Sequence, residues 1–136
     1  MFRSIGAVLG GYLALGALNI FALLILSLYM PFKFSLSAPL DLPSTAWRVF
    51  FLFLQVVFSI AAGLVTSSIV SKKRTYHAWA LAAIILLPGL ANAVVYSAAY
   101  PAWYLFSLPF FGAAGALLGP KLKKLSEQHE PRNIPF

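Results

Sequence analysis

Cysteine is absent from this 136-residue chain. That excludes a disulfide framework, a thiolate metal site and a thiol nucleophile. Acidic side chains are almost absent too. Asp41, Glu127 and Glu130 are the full set, against ten Lys and Arg. Charged residues make up 10% of the sequence, whereas a soluble domain is normally about a quarter charged. The long apolar runs contain no Asp, Glu, Lys or Arg. Proton-coupled transporters need an ionisable group within the membrane, so an exchanger of the small multidrug resistance type is disfavoured: the first run lacks a glutamate. Histidine is limited to His77 and His129, and neither has a His or carboxylate neighbour at metal-ligand spacing. No serine has an evident base to activate it. The expectation is a protein that is not an enzyme and has no metal, cofactor or catalytic residue.

What is present is hydrocarbon. Hydrophobic residues make up 61% of the chain. No charge lies between Arg3 and Lys33, between Arg48 and Lys72, or between Arg74 and Lys121. About 20 apolar residues cross a bilayer, and the last run is long enough for two crossings. It divides at "YSAAYPAW", where Pro101 and clustered aromatic residues mark a turn at an interface. The reading is an all-α polytopic membrane protein. Four transmembrane helices, at about 4–30, 45–71, 76–99 and 102–119, form an antiparallel bundle over residues 1–120. A signal-peptide h-region spans about 7–15 residues, shorter than the first run, which is therefore kept as a span.

The formal charge of +7 raises the question of nucleic acid, but the cations form no stripe on a polar face. They sit at the ends of the apolar runs. "SKKRTYH" places Lys72, Lys73 and Arg74 in the tight loop between helices 2 and 3, and Lys121, Lys123, Lys124 and Arg132 follow helix 4. Basic residues in short loops stay in the cytoplasm. With Arg3, this puts eight cations inside and leaves Lys33 and Arg48 outside. The expected location is a bacterial cytoplasmic (inner) membrane, with both termini in the cytoplasm. The partners are the lipid bilayer, including anionic headgroups at the basic loop, and a second membrane protein or a further copy of the chain. Tyr29, Trp47, Tyr96, Tyr100, Trp103 and Tyr104 fall at the outer ends, and Tyr76 and Trp79 at the inner end, where amphipathic rings favour the headgroup region.

The outer loop "PFKFSLSAPLDLPS" reads as a segment along the interface or as a strand-like flap. Ser44 or Thr45 can cap helix 2. Gly119–Pro120 reads as the stop of helix 4, which leaves 121–136 as a basic, flexible cytoplasmic tail.

Lipid gives helices little hydrophobic reason to associate, so small and polar residues mark where they meet. Gly6, Gly10, Ala14 and Ala17 share one face of helix 1, and Gly112, Gly115, Ala116 and Gly119 share one face of helix 4. Both stripes lie in the inner half, so helices 1 and 4 are expected to pack together, with a homodimer contact as the competing use of one stripe. Helix 2 presents Gln55, Ser59, Ala62, Gly63 and Thr66 on one side. Asn19, Gln55 and Asn92 lie at similar depth, and each is expected to point into the bundle or an oligomer interface. If helix order keeps one apart, it is Asn92, the shallowest. The amides are read first as structural hydrogen-bonding groups, and second as a polar site for a small solute or lipid headgroup. Pro88 and Pro109 each remove a backbone hydrogen bond and are read as static kinks in preference to a gate.

The segment "RSIGAVLGGY", together with the basic run followed by His77 and Ala78, resembles small four-span bacterial inner-membrane proteins of unknown function. The resemblance covers most of the chain in layout and implies no activity. The leading functional expectation is an accessory or scaffold subunit, or a homo-oligomer. A small pore or carrier for neutral or lipid-like solutes comes second, and a holin-like lesion former third.

Overall fold

The computed structural model describes residues 2–29, 42, 44–70 and 73–129, with side chains from Ser4 onward. Four helices account for nearly all of them: α1 (Phe2–Tyr29), α2 (Thr45–Ile69), α3 (Arg74–Val95) and α4 (Ala102–His129). No strand occurs among the described residues. Each helix is long and apolar enough to cross a membrane, the mark of a multi-pass membrane protein. Ser44 is the cap of α2. Its backbone is extended and its hydroxyl accepts the Trp47 N–H at 3.4 Å. The expected flap around Lys33 and Asp41, together with Lys72, Glu130 and Arg132, lies outside the described residues.

Two helix ends differ from the sequence reading. α3 stops at Val95, four residues before the expected end, and Tyr96–Ala99 form turns that lead to Pro101. Pro101 then starts α4, its carbonyl accepting the N–H groups of Tyr104 and Leu105. At the other end, α4 does not stop at Gly119–Pro120. It runs through Pro120 to His129, so 121–129 is helical. A proline inside a helix deprives the carbonyl four residues earlier of its donor. For Pro120 that carbonyl belongs to Ala116, and it lies against Gly63 of α2. Polar ties also hold the extension down. Lys123 Nζ donates to Ser68 Oγ at 2.9 Å, and Arg74 donates to Glu127 at 2.8 Å.

Around the bundle the helices follow the order α1, α2, α4, α3. α4 wedges against both α2 and α3, and α1 covers the opposite side of the same pair. Among the described residues the α1 and α4 backbones do not meet, which corrects the expected packing of their glycine stripes. Consecutive helices run antiparallel, but this order sets two same-direction helices, α2 and α4, side by side. Their contacts advance together along both chains, from Gln55 against Gly112, through Val56 and Ser59 against Gly115, to Gly63 against Gly119. The α4 stripe of Gly112, Gly115, Ala116 and Gly119 is buried in this seam. A Cβ built on Gly119 would sit 2.5 Å from the Gly63 carbonyl carbon, closer than side-chain carbons pack. The absence of side chains at both positions is what lets the backbones touch.

The stripe on α1 is used differently. A side chain at Gly6 would meet nothing within 4 Å, Gly10 faces Ile69, and Ala17 is exposed. The close approach is made one residue along, at Gly11, which presses on Thr66, Ala62 and Leu81. The polar side of α2 therefore serves two neighbours: Ser59 and Gly63 receive α4, while Ala62 and Thr66 receive α1. Thr66 bonds the Ala62 carbonyl at 3.0 Å, and Ser67 and Ser68 bond the Leu64 carbonyl. Such local bonds satisfy hydroxyls where water is absent. Tyr104 is another correction. It does not lie at the interface but is wholly buried among Leu26, Leu42, Phe51 and Leu52. Tyr29, Trp47, Tyr76, Trp79 and Trp103 are all exposed at helix ends, as an aromatic belt requires.

Candidate functional site

Towards the end of the bundle where α2 starts and α3 ends, a groove of about 570 Å³ opens between α1, α2 and α3. Tyr12 and Leu15 line it from α1, Gln55 from α2, and Ile84, Pro88, Gly89, Asn92 and Val95 from α3. Positions 84, 88 and 92 share one helical face, which explains why α3 turns both its proline and its amide to the groove. Pro88 leaves the Ile84 carbonyl without its helical donor on that same face. Gly89, next to Pro88, lets α4 close in behind: a Cβ there would lie 2.5 Å from Pro109 Cβ. The proline of α4 is thus buried against α3, and the groove wall is backed by a tight helix contact.

Two of the three predicted amides meet here. Gln55 and Asn92 line the one groove, and both are partly exposed to it. Neither side chain has a hydrogen-bond partner among the described residues. Asn19 is the one kept apart, not Asn92. Its Nδ2 donates to the Leu15 carbonyl in its own helix at 2.9 Å, and it does not line the groove. Depth put Asn19 and Gln55 level, but depth says nothing of the angle at which a side chain leaves its helix. Ser59, one turn inward from Gln55, is wholly buried in the α2–α4 seam with its hydroxyl unpartnered among the described residues.

Comparison with protein families, with curated proteins and with solved structures finds no match. The site is therefore read from its own chemistry. Amide donors and acceptors, a spare carbonyl and the Tyr12 ring stand in an apolar wall. Such a set has the chemistry to hydrogen-bond a neutral polar group and to pack an apolar body beside it. Among the described residues no three His, Asp or Glu side chains gather as metal ligands.

The predicted topology determinants come together at the opposite end. Lys73 and Arg74 begin α3, and Lys121, Lys123 and Lys124 lie on the α4 extension beside them. Lys73, Arg74, Lys121 and Lys124 line a second cavity of about 550 Å³ with Thr75, Leu117 and Pro120. Lys123 points away from it, towards the end of α2, where it bonds Ser68 Oγ and the Ser67 carbonyl. His77 is buried nearby, with Nδ1 2.9 Å from the Lys73 carbonyl. The sequence reading placed Lys72–Arg74 in a loop and Lys121, Lys123 and Lys124 in a separate flexible tail, both as topology determinants. It missed the cavity because that depends on α4 remaining helical past Pro120.

Proposed function

We propose that this chain is a non-enzymatic membrane protein that binds a neutral, lipid-like solute in the groove between α1, α2 and α3, as a carrier for such molecules. One observation carries the reading: Gln55 and Asn92 face an open groove in the apolar part of the bundle without hydrogen-bond partners among the described residues. An amide without partners in hydrocarbon is costly. Amides that served only to hold helices together would bond across the bundle, and Asn19, by contrast, is satisfied within its own helix. A polar headgroup entering the groove satisfies both, while its apolar body lies against Leu15, Ile84 and Val95.

The membrane is the bacterial inner membrane, with the α3 start and the α4 extension in the cytoplasm. The gathering of Lys73, Arg74, Lys121, Lys123 and Lys124 at one end of the bundle supports this orientation through the positive-inside rule. The test uses the purified protein in phosphatidylcholine nanodiscs with a photoreactive diacylglycerol analogue. Crosslinks are expected on the groove-lining residues of α3 and are expected to disappear in the Gln55→Leu, Asn92→Leu double variant while it stays folded. Crosslinks spread evenly over the lipid-facing surface, or unchanged in the double variant, would overturn the reading.

A second reading, an accessory subunit or homo-oligomer, is favoured by the face of α1 that packs against nothing. Gly6 and Gly16 meet no atom within 4 Å, and Ala17 is exposed beside them. Small residues of this kind allow close approach of another helix. A stoichiometric partner or dimer retained in mild detergent, and lost in Gly16→Leu, would select this reading.

A further inference from the structure

The basic cavity at the inner end lies apart from the groove, and the positive-inside rule does not explain its shape. That rule asks only for cations on one side of the membrane and is satisfied by side chains that splay into water. Here four cations from two helices line a single concavity. Lys73 and Arg74 come from the start of α3, and Lys121 and Lys124 from α4. Lys121 and Lys124 are three residues apart on a helix, so they stand on one side of it, where like charges repel. The fold holds the arrangement in place. α4 continues as a helix past Pro120, and Arg74 reaches the Glu127 carboxylate with one terminal nitrogen at 2.8 and 2.9 Å. Its Nε donates to the Val70 carbonyl at 3.3 Å, which leaves its second terminal nitrogen without a protein acceptor among the described residues. Glu127 balances one charge. Lys73, Lys121 and Lys124 have no acidic partner among the described residues.

Backbone chemistry adds to the side chains. Lys73 is left-handed, with φ of 55°, and provides no side-chain cap for α3. The first N–H groups of the helix, at the positive end of its dipole, therefore open beside the same cavity, whose lining includes Arg74 and Thr75.

We infer that this cavity binds a phosphate group, with Lys73, Arg74, Lys121 and Lys124 as its cationic wall. A phosphate offers several acceptor oxygens to donors arriving from two helices, and its charge relieves their mutual repulsion. The source can be a phospholipid headgroup or a soluble phosphate. The surroundings fit a lipid. Leu118, Leu122 and Leu125 form an exposed apolar strip along the same stretch of α4, where acyl chains would run, and basic pockets between helices on the cytoplasmic side suit anionic headgroups.

The experiment measures retention of phosphatidylglycerol by the detergent-purified full chain in native mass spectrometry, against phosphatidylcholine and with inorganic phosphate as competitor. Lys121→Gln with Lys124→Gln removes two cations that are exposed and make no hydrogen bond or ion pair among the described residues. Lys73→Gln provides an independent variant from α3. Lys33→Gln, four residues beyond the end of α1 in sequence, is the control for loss of one positive charge. Wild type is expected to prefer phosphatidylglycerol. The double variant should weaken that binding about thirtyfold, the combined effect of two cations at a charged surface. Lys73→Gln should weaken it several-fold, and Lys33→Gln should leave it unchanged. Displacement of the lipid by millimolar inorganic phosphate identifies a phosphate site open to soluble ligands, and no displacement identifies a headgroup site. Equal retention of the two lipids by wild type, or equal losses in Lys33→Gln and the cavity variants, would overturn the inference.

Discussion

Gly115→Ala adds one methyl group at the centre of the seam between α2 and α4. The new carbon would stand 2.7 Å from the Val56 carbonyl oxygen, 2.8 Å from Ser59 Cβ and 3.3 Å from the Ile60 nitrogen. Comfortable carbon contacts begin near 3.5 Å, so α4 must retreat by roughly 0.8 Å. A gap of that size forfeits about a quarter to a half of each contact energy along the seam. Two of the three neighbours are backbone atoms and cannot rotate aside. The cost therefore belongs at the upper end of the overpacking range, about 3 kcal/mol. Alanine recovers about 1 kcal/mol through its better helix propensity. The net loss is about 2 kcal/mol, or about thirtyfold in the folded-to-unfolded ratio. Gly6→Ala is the matched control, since nothing lies within 4 Å of its new carbon. It should keep the helix-propensity gain without the clash and stabilise the fold by up to about 1 kcal/mol. Reversible SDS unfolding in mixed micelles, followed by tryptophan fluorescence, reads both. Wild-type stability for Gly115→Ala, or an equal loss for Gly6→Ala, would refute the assigned seam and restore α1 as the partner of α4.

Asn19→Leu should cost about 0.6 kcal/mol in the same unfolding assay and leave diacylglycerol crosslinking intact, because Asn19 bonds only its own helix; loss of crosslinking would extend the groove to α1's amide. Tyr104→Phe should be neutral or stabilising by about 1 kcal/mol, since the hydroxyl is buried without a partner among the described residues, whereas Tyr104→Ala should cost about 3–5 kcal/mol; a marked loss of stability in Tyr104→Phe would reveal a hydrogen bond to that oxygen. Glu127→Gln removes the charge opposite Arg74, so amide hydrogen exchange over 121–129 should quicken while exchange in the α2–α4 seam stays unchanged. In a Lys73→Cys variant, otherwise free of cysteine, an impermeant thiol reagent should react in inverted vesicles and not in intact cells; labelling of intact cells would reverse the proposed orientation.

The four helices were legible because apolar length and interrupting charge are one-dimensional signals. The seam was half legible. Gly112, Gly115, Ala116 and Gly119 announce a close approach, and Ser59 and Gly63 announce a surface able to receive one. Nothing in a linear pattern says which helix meets which, however. The stripe on α1 lay at a suitable depth and misled. Its neighbour Gly11, which does make the contact, belongs to an adjacent face that a small-residue count does not separate. The starts of α2 and α4 were legible where a cap and Pro101 fixed them, whereas the end of α3 at the aromatic turn was read four residues late. At Pro120 the local stop signal lost to long-range ties from Lys123 and Glu127, contacts made with residues more than fifty positions away. The groove followed the same pattern: the amides were visible in the sequence, but which of them meet depends on helix order.

That order bears on how the protein is made. α2 and α3 are neighbours in sequence, yet they touch each other less than each touches α4. When the second hairpin partner has left the ribosome, the two helices still lack the element that joins them, and the Ser59 and Gly63 side of α2 is exposed to lipid or to the insertion machinery. α1 can dock early, through Gly11, but the bundle closes only when the fourth helix arrives and slides in parallel to the second. Completion of the fold therefore waits on α4. A chain interrupted before α4 would carry three of the four spans and still lack the α2–α4 seam.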